Sequence, residues 1–365
     1  MHLTQDRPPG SNNTSHSVGP RSARSSCPSP AADGPDIRDR GIIRPALGLV
    51  TLVLIVAATW TGIALDRSGQ YPVAAPRPDL SGIVGDRTVT LSIGTGPRTA
   101  LVHHPDSAGA GAPLVVVLHG ETGSAQQARD EYGWNELADR DGFVVAYPNS
   151  VGNTWNLSPA CCGQAHANHL NDIGFLHQLV STIGKTDFIA RSRVFAVGFS
   201  DGATLAYTWA CSLPGELAGI GPVAGLLVVG CPTVAPVSVA AVRGAADHTV
   251  LLASASRPHS PRGSSPAAGP AMDQQRSPSL EATLALFRAI DGCPTIPETT
   301  TIPPVTQRSW TCVATRGVSV ALISDVGHVW PGAATAQLGE AEDQSPSPLN
   351  ATDWLWQHLR YSRSR

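Results

Sequence analysis

Only one of the 25 basic residues is a lysine, Lys185, and 28 acidic residues outnumber the bases for a net charge of −3. No polycationic face can be built from that balance, which argues against nucleic acid as a partner. No CxxC pair and no His/Cys cluster has zinc-site spacing, so no metal and no cofactor is expected. Internal repeats are absent as well. What the chain does have is 42% hydrophobic residues, enough for a sizeable core and too many for wholesale disorder. Its 36 glycines and 31 prolines imply many turns. A length of 365 residues suits one large domain or two ordinary ones.

Composition divides the chain. Residues 1–44 are rich in Ser, Pro, Gly and Asn and read as a disordered cytoplasmic tail. Residues 45–65 read as a transmembrane helix, because 46–65 (ALGLVTLVLIVAATWTGIAL) carry no charge. As a helix that run would extend about 30 Å, the thickness of a bilayer's hydrocarbon. Arg38, Arg40 and Arg44 precede it, so the positive-inside rule keeps the N-terminus in the cytoplasm and exports the remainder. Ile63-Ala64-Leu65-Asp66 is a poor cleavage site, and Val73-Ala74-Ala75 fits better but lies well past the apolar run. The reading therefore favours an uncleaved anchor, and a cleaved signal would give a secreted protein. Residues 66–84 form a linker and 85–362 a single domain.

The cysteines agree with export. Beyond Cys27 in the tail, six remain: Cys161, Cys162, Cys211, Cys231, Cys293 and Cys312. An even number in an oxidising compartment suggests three disulfides, with fifteen possible connectivities. Cys293 and Cys312 flank one short excursion and make the best single pair. Vicinal Cys161 and Cys162 are expected to find separate partners.

From residue 88 onward, strand-like and helix-like segments alternate. Residues 88–93 and 99–104 read as a hairpin, and 113–119 (PLVVVLH) as a strand covered on both faces. Further strands are expected at 142–147, 193–197, 219–223, 237–242 and 318–324. Helices are expected at 124–139, 172–183, 201–211 and 279–290, with a last one capped by Asn350. Residues 254–277 read as a flexible surface insertion. This alternation predicts one α/β domain with a mainly parallel central sheet and helices on both faces.

Gly198-Phe199-Ser200-Asp201-Gly202 places Gly-x-Ser-x-Gly between an apolar strand and a helix, the setting that makes the pattern informative. A turn this tight leaves no room for side chains two residues either side of the serine. Ser200 then needs a base, and the base needs an orienting carboxylate. Asp247 follows the 237–242 strand and His328 follows the 318–324 strand, so both should reach the sheet edge that carries Ser200. Asp325 is an alternative acid, and His248 should point elsewhere. His103 and His104 are expected at the surface, while His166, His169 and His177 are bland loop and helix residues. The backbone N–H groups of Asp201 and Glu121 are the expected oxyanion donors, with Gly120 permitting close approach and His119 structural.

In sequence and order, LHG after an apolar strand, GFVVAYPN, TWN…CCG, NDIGFL, VFAVGFSDGATLAY, GPVAG, RGAAD and GHVWPG resemble secreted esterases of the polyhydroxybutyrate depolymerase and feruloyl esterase type. The likeness runs from about residue 88 to 359. It implies an α/β-hydrolase fold with Ser200, Asp247 and His328 as the triad. Trp155, Asn156 and Asp172 match positions near the family's site. Trp155 could stack on a substrate ring, and Trp330 could wall the pocket. Two departures stand out: Glu121 occupies a position that is usually small, and RGAAD replaces HGxxD. The family's lipoprotein-attachment cysteine is absent.

These readings converge on an exported, monomeric serine carboxylesterase acting on feruloyl or acetyl-glycan esters or on aryl esters. A polyester depolymerase is the alternative within the same chemistry. A catalytically silent hydrolase-fold module that binds a wall polymer or protein is the alternative outside it.

Overall fold

Five strands in this chain, Leu114–Leu118 (β3), Val144–Pro148 (β4), Val194–Phe199 (β5), Gly219–Val223 (β6) and Ser238–Gly244 (β7), are buried along their whole length. Continuous apolar runs of this kind belong inside a sheet covered on both faces. The computed structural model describes residue 80 and residues 82–94, 96–157, 163–232, 235–248, 279–334 and 347–364. All the described residues belong to one compact unit, Ala75–Arg365. The expected tail and membrane segment, Cys27, Cys161, Cys162 and the 254–277 insertion lie outside the described residues. Among the described residues no helix is long and apolar enough to cross a membrane.

Among the described residues the sheet has ten strands, completed by Gly85–Ile93 (β1), Gly96–His104 (β2), Glu298–Ile302 (β8), Val305–Thr311 (β9) and Gly317–Ile323 (β10). Their order is β1-β2-β4-β3-β5-β6-β7-β10-β9-β8. The six central strands, β4 to β10 in that order, pair in parallel, and antiparallel hairpins close both edges. Side chains alternate across β3. Leu114, Val116 and Leu118 enter one core with Phe175, Leu179, Leu205 and Phe287. Val115 and Val117 enter the other with Ala128, Leu137, Leu355 and Trp356.

Seven helices are described: Ala125–Glu131 (α1), Trp134–Asp141 (α2), Gly163–Ala167 (α3), Asp172–Thr186 (α4), Asp201–Ser212 (α5), Leu280–Asp291 (α6) and Ala351–Leu359 (α7). Helices α4, α5 and α6 cover one face of the sheet and α1, α2 and α7 the other. The mainly parallel α/β sheet expected from the sequence is present, and the mixed edges are extensions of it.

Three expectations need correction. The helix expected over 124–139 is two helices, because Gly133 adopts a left-handed φ of 72° between α1 and α2. The β8–β9 hairpin was not anticipated. Its outer strand, ETTTI, is exposed throughout and so has no hydrophobic alternation to betray it. His104 is fully buried rather than on the surface, hydrogen-bonded to Asp187 and the Ala108 carbonyl. Cys293 pairs with Cys312 as expected, and Cys211 pairs with Cys231.

Candidate active site

Strand β5 ends in Phe199, and the chain turns into α5 at Ser200, which takes φ 52° and ψ −114°. A non-glycine residue in such backbone costs roughly 1–3 kcal/mol and persists only where its surroundings enforce it. Here the Ser200 N–H donates to the Val223 carbonyl (2.9 Å), and the Ser200 carbonyl accepts from Thr204 N–H (3.0 Å). The flanking glycines are sterically required. A Cβ on Gly198 would lie 2.4 Å from the Gly202 carbonyl carbon, and one on Gly202 would lie 2.2 Å from the Leu118 oxygen.

The loops after β7 and β10 come together beside this turn. Ala245 N–H donates to Ile323 O (2.7 Å) and Ala246 N–H to Val326 O (3.1 Å). That contact brings the Asp247 carboxylate 2.9 Å from His328 Nδ1, and His328 Nε2 lies 2.9 Å from Ser200 Oγ. Asp247 is buried, while the imidazole keeps 20% of its surface exposed and packs against the Phe199 ring at 4.9 Å. The three side chains form one hydrogen-bonded line over a distance of 128 residues in sequence. His248 and Asp325 are exposed, and Asp247, not Asp325, meets His328 Nδ1.

The loop after β3 lies against the same turn. A Cβ on Gly120 would come within 3.4 Å of Ser200 Cβ, so Gly120 packs directly against the serine turn. Asp201 opens α5 with its carboxyl side chain buried, and Oδ2 has no hydrogen-bond partner among the described residues. Burial, reinforced by the Glu121 charge and opposed by His328, pushes the Asp201 carboxyl up to about 6.

Trp155 and Trp330 do not line a cleft. Trp155 is fully buried; its indole N–H donates to the His119 carbonyl (2.8 Å) and its ring packs on the imidazole at 4.9 Å. Trp330 is 2% exposed, stacks on Tyr132 at 4.3 Å and donates to Thr352 Oγ1 (3.1 Å). An indole N–H seeks a partner when buried, and both find one inside. Asp172 accepts from the Asn156 N–H (2.7 Å) and pairs with Arg98 (2.7 Å), so it fixes backbone. The residues sequence reasoning passed over are Ser150 and Asn153, whose loop is hydrogen-bonded to the one after β3. Nothing in their residue types signals that role. No group of three His, Cys, Asp or Glu side chains that could hold a metal occurs among the described residues.

A parallel sheet with a strained serine between strand and helix, a later acid and a still later histidine defines the α/β-hydrolase class. Residues 98–267 match the family model described as Esterase PHB depolymerase. The matched stretch contains Ser200 and Asp247; His328 lies beyond it. "Putative esterase NocK" of Nocardia uniformis subsp. tsuyamanensis is 27% identical over 67% of this chain and 74% of its own length. Poly(3-hydroxyalkanoate) depolymerase C of Paucimonas lemoignei is 32% identical over 38% of this chain, but only 34% of that protein is spanned. The solved acetyl xylan esterase of Aspergillus awamori aligns with a TM-score of 0.47 at 14% identity, covering 66% of this chain and 94% of the other.

Proposed function

We propose that the chain is an exported carboxylesterase that works through a serine nucleophile. The supporting observation is the hydrogen-bonded line from Ser200 Oγ to His328 Nε2 and from His328 Nδ1 to Asp247. Ser200 Oγ attacks the ester carbonyl while its proton passes to His328 Nε2, and Asp247 holds the imidazole in the tautomer that can accept it. The tetrahedral oxyanion is held by the backbone N–H groups of Asp201 and Glu121. His328 then gives its proton to the departing alcohol as the C–O bond breaks. Water, deprotonated by the same imidazole, hydrolyses the acyl-enzyme and restores Ser200.

Feruloyl or acetyl-glycan esters and aryl esters are the proposed substrates. Relatives named feruloyl esterase B (Piromyces equi) and acetylxylan esterase A (Emericella nidulans) favour this class. A polyester is the second reading, favoured by the depolymerase relative. Export rests on the uncharged run at 46–65 behind three arginines, and the two disulfides support an oxidising compartment. The same run is the proposed membrane anchor.

Full-length protein should take up one equivalent of a fluorophosphonate probe and hydrolyse at least one of 4-nitrophenyl acetate, methyl ferulate, acetylated xylan or hydroxybutyrate oligomers. Ser200→Ala should do neither. A wild-type protein that neither labels nor hydrolyses any of these would leave the silent binding module as the better reading.

A further inference from the structure

His119 is 1% exposed and sits at the hinge between β3 and the loop beside Ser200. Its protonation pattern is fixed by its neighbours. Ser150 N–H donates to Nε2 (3.2 Å), so Nε2 carries no proton and the N–H is on Nδ1. That Nδ1–H points at the carbonyl of Gly120, 2.7 Å away. The same carbonyl also accepts from Gly123 N–H (3.1 Å). With two donors on it, the Gly120 oxygen cannot turn without breaking both bonds.

The next atoms along are the Glu121 N–H. A peptide unit is planar and trans, so its N–H points opposite to its C=O, and pinning one sets the direction of the other. Among the described residues the Glu121 N–H makes no backbone hydrogen bond of its own, which leaves it available as a donor.

We propose that His119 is the positioning residue of the oxyanion loop: its Nδ1–H, by holding the Gly120 carbonyl, aims the Glu121 N–H at the substrate oxyanion. The proposal rests on the Ser200 mechanism above. The imidazole is itself clamped. Trp155 packs on the ring and donates to the His119 carbonyl, and Asn153 ties the far side of the loop through Gly123 O (2.6 Å) and Thr122 N–H (2.9 Å). That clamp is carried by the 149–157 segment, which Arg98 holds through the Asn149 carbonyl (3.2 Å) and Asp172. Burial drives the His119 imidazole down to about 4, so it stays neutral and keeps Nε2 open to Ser150.

Asn and Leu have nearly the same shape, but only Asn places an N–H donor near the Nδ1 position. His119→Leu and His119→Asn are therefore compared with wild type in the full-length protein, with rates divided by the active sites counted with fluorophosphonate. His119→Leu should lower kcat for 4-nitrophenyl acetate about 100-fold with KM within about 3-fold, the signature of a lost oxyanion donor. Its affinity for phenylboronic acid, a tetrahedral mimic, should fall in parallel. His119→Asn should stay within about 10-fold of wild type. Equal loss in both variants, or a loss in Leu explained by fewer active sites, would overturn the proposal while leaving the Ser200 mechanism standing. Should the Leu variant fail to fold, Trp155→Phe decides: a kcat drop of about 10-fold at unchanged KM supports the clamp, and an unchanged kcat overturns it. A wild-type protein without label or turnover would bring down both readings together.

Discussion

A Cβ atom on Gly244 would sit 2.0 Å from the carbonyl oxygen of Val326. The turn after β7 and the turn after β10 thus meet backbone to backbone, and the loop that carries Asp247 is built directly on the loop that carries His328. The reach from carboxylate to imidazole is set there, because side chains this short cannot bridge a wider gap. Gly244→Ala should separate the loops, destabilise the fold by about 3 kcal/mol and lower kcat at least 10-fold in the protein that remains folded. Urea unfolding and active-site titration measure the two effects separately. An alanine variant with wild-type stability and rate would refute the account of this contact.

Asp247→Asn tests the far end of the line. The amide preserves the shape but stabilises the wrong imidazole tautomer, so kcat should fall about 10³–10⁴-fold while KM changes little. Steady-state kinetics on any hydrolysed ester gives the answer. A loss under 10-fold would mean that another group orients His328.

Two buried groups near the site titrate in opposite senses. Folded His119, with its pKa near 4, binds fewer protons than in the unfolded chain between about pH 6.5 and 4. Its contribution is full above that window and disappears as pH falls through it. Folded Asp201, raised from 3.8 to about 6, binds more protons than in the unfolded chain, so its penalty at neutral pH is relieved as pH falls from about 6 to 3.8. The two slopes offset each other in the native protein. Asp201→Asn should gain about 1–2 kcal/mol at pH 8, nothing at pH 4, and show the His119 slope uncovered. Urea midpoints across pH 4–8 test this; a variant profile parallel to wild type would contradict it.

Much of the candidate site could be read from residues because each member of the proposed triad is announced by the strand before it. Ser200, Asp247 and His328 each follow a buried apolar run, and such runs can be recognised without knowing what they pair with. The tryptophans were misplaced for the converse reason. Whether an indole faces a cleft or the interior depends on where its N–H finds an acceptor, and the acceptors of Trp155 and Trp330 are His119 O and Thr352 Oγ1, 36 and 22 residues away. His104 was misjudged likewise, since its partner Asp187 is 83 residues distant. The β8–β9 hairpin escaped notice because an exposed, threonine-rich edge strand carries no burial pattern at all.

Strand β10, which delivers His328, is flanked by β7 on one side and β9 on the other. A ribosome must therefore pass residue 328 before the proposed proton acceptor for Ser200 exists, and that residue reaches Ser200 only once its strand has docked between two others. A nascent or truncated chain ending before β10 would carry the proposed nucleophile without its proposed base. On the proposed mechanism, reactivity arrives last, as a property of completed assembly.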